Sequence, residues 1–103
     1  MRYDKRESGS WIEDSGVVRR LLTDDADGSR HQRMILQLRN RHTLLIAHNI
    51  DLADRVPVGL GDRLRFRGMY EWNERGGLVH WTHRDPMGIA AGGWIEFRRK
   101  TYA

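Results

Sequence analysis

Cysteine is absent from this chain of 103 residues. That excludes disulfides and thiolate zinc centres, so any metal would have to be held by nitrogen and oxygen ligands. Long apolar runs are also missing, and no stretch approaches the length of a membrane span. The start, MRYDKRESGSW, lacks the apolar centre of a signal peptide, and on that reading the expected location is cytoplasmic, with no membrane partner. A second domain is excluded by length. Lysine is scarce: of 18 basic residues only Lys5 and Lys100 are lysines, which leaves sixteen arginines.

What is present is a basic, tryptophan-bearing chain. The formal charge is +4, with 14 acidic residues against the 18 basic ones. Arginine's planar fork suits bidentate phosphate contacts and stacking on bases, so nucleic acid, single-stranded in preference to duplex, is the expected partner class. The plainer reading is a solvated basic surface. Four tryptophans supply much of the burial that a small core needs.

Alternation of apolar and polar residues at period two dominates, and Gly and Asx clusters interrupt it. Residues 1–15 read as a polar leader, docked only at Trp11 and Ile12, and residues 16–103 as one domain. GVVRRLL (Gly16–Leu22) reads as the first strand, and HQRMILQL (His31–Leu38) as its antiparallel partner. TLLIAHN (Thr43–Asn49), apolar on both faces, reads as a central strand buried on two sides. IDLADRV suits one helical turn before Pro57. A long strand follows, with Leu64, Phe66, Gly68, Tyr70 and Trp72 on one face and Arg63, Arg65, Arg67, Met69 and Glu71 on the other. NERGG reads as a hairpin turn, LVHWTH as the returning strand, DPMGIAAGG as a flexible loop and WIEFRRKTY as a closing strand. The expectation is an all-β fold, a five- to six-stranded OB-like barrel with at most one short helix, and an SH3-like barrel is its competitor.

The segments GVVRRLL, RHQRMILQL, TLLIAHNIDLADRV, GD, YEWNERGG and VHWTHRDP…GGW run from Gly16 to Trp94. Together they resemble an uncharacterised bacterial family, a domain of unknown function. The resemblance implies a small OB-like barrel and assigns no activity. Members of that family often look exported, whereas this chain shows no export signal.

The densest chemistry lies in LVHWTHRDP. On an extended strand, His80 and Thr82 share one face while Trp81 and His83 take the other, so HWTH is not a ready chelate. A non-local constellation is stronger. AHNID supplies His48, Asn49 and Asp51, YEWN supplies Glu71 and Asn73, and RHQ supplies His31 and Gln32. If the barrel brings His48 and His80 to one rim, they suit a general base and a general acid for phosphodiester cleavage. Arg30 and Arg33 would stabilise charge on the phosphate, and Asp51, Glu71 or Asp85 could hold Mg²⁺ or Mn²⁺. The row Arg63, Arg65 and Arg67 is either a phosphate track or a solvated face.

Structural readings stand beside these. Histidines at strand ends commonly satisfy neighbouring carbonyls. Asn49 and Asp51 suit capping, and Trp72 and Trp81 suit core or cross-strand packing. Two functions follow. One is a nuclease or phosphodiester hydrolase, preferred for the acid and base groups of HNID and HWTH. The other is a non-enzymatic module for single-stranded nucleic acid. The hydrolase needs His48, His80 and a carboxylate in one cleft, whereas the binder needs a basic groove.

Overall fold

The computed structural model describes residues 3–103. The fold is nearly all-β. Seven strands form one sheet: β1 (Trp11–Asp25), β2 (His31–Leu38), β3 (Thr43–Asn49), β4 (Arg63–Glu71), β5 (Leu78–His80), β6 (Trp94–Phe97) and β7 (Lys100–Tyr102). Among the described residues the only helix is a 3-10 turn at Lys5–Glu7, and no helix is long and apolar enough to cross a membrane.

Five strands pair into a ring in the order β1-β2-β3-β5-β4, closed by β4 against β1. Only the β3–β5 junction is parallel. The second edge of β4 is shared, with Met69–Glu71 pairing to β5 and Arg65–Arg67 to β6. The inner face follows from period two: Met34, Leu36 and Leu38 of β2, Leu44 and Ile46 of β3, and Leu64, Phe66 and Tyr70 of β4 are all buried. Each such side chain contributes about 1.5–3 kcal/mol by leaving water.

The first strand is longer than Gly16–Leu22. Its opening half pairs with β4 from Trp11↔Met69 to Val17↔Arg63, and its second half pairs with β2 from Gly16↔Leu38 onward. Gly16 sits where β1 changes partner, and a Cβ there would lie 2.9 Å from the Gln37 carbonyl oxygen. The polar run Glu13-Asp14-Ser15 hides this half-strand from a hydrophobic pattern. The ring holds it all the same, because Glu13 faces outward and pairs with Arg67 across β4 at 3.3 Å. The segment before it also packs. Gly9 donates to the Tyr70 carbonyl at 2.7 Å, Tyr70 N donates to Ser10 O at 2.9 Å, and the Tyr3 ring meets Tyr70 edge-on at 5.3 Å. Met1 and Arg2, the start of the expected leader, lie outside the described residues.

Three further details depart from the sequence pattern. β3 is buried fully only on its inner face, with Leu45 and Ala47 half-buried on the other. IDLADRV makes a single turn and no helix, with Leu52 N and Ala53 N both donating to Asn49 O. WIEFRRKTY folds back as the β6–β7 hairpin, its two turn residues Arg98 and Arg99 both at positive φ. That is the backbone a tight hairpin requires, supplied here without Gly or Asn.

Candidate functional site

The HWTH segment leaves strand geometry after His80. Trp81 adopts φ 58°, which resets the alternation. Thr82 then points inward and is fully buried, while His83 joins His80 in lining one cavity. The Thr82 hydroxyl lies 2.7 Å from Nδ1 of His48, whose Nε2 lies 2.9 Å from the carbonyl oxygen of Asp54. A carbonyl only accepts, so Nε2 carries the proton and Nδ1 accepts from Thr82. Both ring nitrogens are thereby satisfied. His48, 0% exposed, is a neutral bridge tying β3 to the segment before Pro57 and to the chain beyond β5.

Burial holds the His48 pKa below its ordinary 6.5, assisted by the nearby His83 and His31 and opposed by the bonds to Asp54 and Thr82. The unfolded chain therefore takes up this proton before the folded one does. Stability from this site is whole above about pH 6.5 and declines as pH falls through the depressed folded value. Urea unfolding at stepped pH between about 7 and 5 is expected to show this decline, and His48→Gln, which cannot titrate, is expected to be less stable but flatter. Equal slopes for the two proteins would sink the assignment.

The cavity that His80 lines, about 330 Å³, is bounded by His31, Asn49, Leu52, His80, Trp81, His83 and Pro86. His48 is not in that lining, so the histidines that share a cleft with His80 are His31 and His83. The expected carboxylates are dispersed. Glu71 Oε1 lies 3.2 Å from His80 Nε2, and Asp51 accepts from Arg30 N at 2.9 Å. Asp85 accepts from the backbone amides of Met87, Ile89 and Ala90. The bonds from Ala90 and Met87 hold its carboxyl below the ordinary range, and they organise the loop that follows. Among the described residues no group of three or more His, Asp or Glu is arranged to hold a metal ion.

Arginines gather on the outer face of the ring. A cavity of about 570 Å³ is lined by Arg19, Arg39, Arg41, Arg63 and Arg65 with Ser15, Val17, Gln37 and Leu38, and no carboxylate lines it. A register shift in β1 at Val18/Arg20 leaves Arg19 as the extra residue opposite β2, so Arg19 and Arg20 are both exposed. Alternation along β4 turns Arg63 and Arg65 outward, and the β2–β3 turn carries Arg39 and Arg41. Arg19 is braced by Gln37 at 2.6 Å, and Arg65 pairs with Glu96 at 3.1 Å over the Trp94 ring.

The chain matches, over residues 1–103, the family described as "Protein of unknown function (DUF3465)". It belongs to that family. No curated protein and no solved structure matches it.

In this family member the remaining expected residues take different parts. Arg67 lines neither arginine cavity; its Nε donates to the Gly92 carbonyl at 3.0 Å and its guanidinium lies over Trp11. Arg33 donates to Thr23 O at 3.0 Å and lines a second cavity of about 420 Å³ with Arg20, Arg75, Leu22, Ile35 and Leu45. Arg30 is exposed and lines neither arginine cavity. Trp72 packs against the core. Trp81 does not, being 39% exposed and stacked on His83 at 5.7 Å. Sequence reasoning missed Arg19, Arg20, Arg39, Arg41 and Arg75. The turn RNR, two arginines between strands, is the one local signal that pointed toward Arg39 and Arg41.

Proposed function

We propose that this chain is a non-enzymatic module that binds single-stranded nucleic acid chiefly through its phosphates. The observation that carries the reading is the outer cavity lined by five arginines and no carboxylate. Such a surface concentrates positive potential, and arginine forks match phosphate oxygens. A five-stranded ring with one parallel junction also suits the OB-like barrels that carry many nucleic-acid modules. The dry, doubly bonded His48 favours this reading over a hydrolase built on His48 and His80.

Fluorescence anisotropy with labelled single strands of DNA and RNA, titrated with salt, tests it. Engagement of about four phosphates gives a slope of log affinity on log salt near −3, hence a loss of about 50-fold between about 50 and 200 mM. Affinity indifferent to salt would reject the proposal.

The contact of His80 with Glu71 at 3.2 Å favours a second reading, a phosphodiester hydrolase with this pair as acid and base. Cleavage of the same labelled strands, in Mg²⁺, Mn²⁺ or EDTA, would select it.

A further inference from the structure

The cavity beside β5 has a polarity opposite to that of the arginine surface. It offers hydrogen-bond acceptors set among flat and apolar walls. His31 Nδ1 lies 2.9 Å from the Ser29 carbonyl oxygen, and His83 Nδ1 lies 2.7 Å from the Arg84 carbonyl oxygen. Each carbonyl accepts, so in the neutral ring Nδ1 holds the proton and Nε2 keeps its lone pair. Neither Nε2 has a partner among the described residues, and the only sealed side-chain polar atom without one there is the Tyr70 hydroxyl. His83 lines the cavity although the residue as a whole is buried.

Asn49 supplies the complement. Its Oδ1 accepts from Asp51 N at 3.0 Å, which fixes the orientation of the amide and leaves Nδ2 as a donor. Trp81, Leu52 and Pro86 form the walls, and His80, its Nε2 held at 3.2 Å by Glu71 Oε1, completes the lining. Two lone-pair acceptors, one amide donor and an exposed indole in about 330 Å³ make a polar-edged slot large enough for one planar heterocycle. Arg30 and Arg84, the sequence neighbours of His31 and His83, are both exposed.

We infer that this cavity takes an unstacked nucleobase that presents an amino group beside a ring-nitrogen acceptor, as cytosine and adenine do, and disfavours uracil. The amino hydrogens donate to His31 or His83 Nε2, the ring nitrogen accepts from Asn49 Nδ2, and the ring stacks on Trp81. Uracil in the same pose sets a carbonyl oxygen against the imidazole lone pairs, and shifted to present its single N3–H it satisfies only one of the two, whereas an amino group has a hydrogen for each. The inference rests on the nucleic-acid reading for its ligand class. It differs from the arginine surface in asking for base identity where the arginines ask only for charge.

Oligo(dC) and oligo(dU) of equal length differ in the amino and carbonyl groups that matter here. At about pH 8 and fixed salt, oligo(dC) is expected to bind about 10-fold tighter, one amino-group hydrogen bond's worth of discrimination. His31→Leu, at a half-buried position, is expected to erase the preference while keeping the salt slope, and His31→Gln, which retains an acceptor, to recover part of it. Free cytidine and uridine, followed by imidazole NMR shifts and Trp fluorescence, probe the cavity without phosphates. Equal affinity for the two oligonucleotides with a full salt slope overturns this inference and leaves phosphate binding standing. Cytidine-specific shifts of His31 and His83 without any oligonucleotide binding support the cavity and reject the arginine reading. Silence in both assays overturns both.

Discussion

Alanine in place of Gly93 is expected to remove a large part of the protein's stability. A Cβ at this position would lie 2.2 Å from the carbonyl oxygen of Trp81, 2.3 Å from that of Arg67 and 3.1 Å from Cα of Thr82. All three are backbone atoms, so no side chain can swing aside. The approach is already fixed by the bond from Gly93 N to His83 O at 2.7 Å. Relief would require β6 to move off β4 at Arg67↔Trp94 and would disturb the turn that seats Thr82 against His48. The cost expected is above about 4 kcal/mol, set against a total stability of about 5–15 kcal/mol for a domain of this kind. Gly88→Ala is the control. Its φ is 69° and nothing lies within 4 Å of its Cβ, so it should lose only about 1 kcal/mol of backbone preference. Thermal melts followed by circular dichroism check both, and a Gly93→Ala midpoint within a few degrees of wild type would refute the packing argument.

Reversing three charges in the arginine cavity is expected to weaken single-stranded nucleic acid by about 100-fold or more at low salt. The positions are Arg39, Arg41 and Arg63, each changed to Glu. All three are exposed, and none has an acidic partner among the described residues. Their replacement therefore breaks no ion pair, and the melting temperature should stay within a few degrees. The salt slope should flatten by about 0.7 for each phosphate contact removed. That flattening separates lost contacts from a misfolded sample, in which binding vanishes together with the melting transition. Undiminished affinity in the folded triple variant would mean that the cavity is only a solvated face.

Period-two alternation made β2, β3 and the inner face of β4 readable, because there the burial of every second residue is a local property of the pattern. The opening half of β1 was not readable, since Glu13, Asp14 and Ser15 are held by β4 and not by any preference of their own. Nor was the β6–β7 turn, where two arginines take the left-handed backbone usually marked by Gly or Asn. The site suffered most from a single dihedral. Spacing set His80 and Thr82 on one face, but the positive φ of Trp81 sends Thr82 inward to His48 and His83 out beside His80. The abundance of arginine was plain in the composition. Which arginines share a cavity depended on the shift beside Arg19 and on how the β2–β3 turn folds over the ring, both consequences of pairing between distant segments.

The divided allegiance of β1 also dictates the order of assembly during synthesis. Its second half can zip onto β2 as soon as Leu38 has left the ribosome, whereas Trp11–Ser15 must wait for β4. At about 5–20 residues per second that wait lasts several seconds. Throughout it the nascent chain trails an open strand edge with Ile12 bare, a template for a holdase or for another unfinished copy. Ring closure is then the slow, non-local event of folding, and the yield of native protein depends on how that interval is spent.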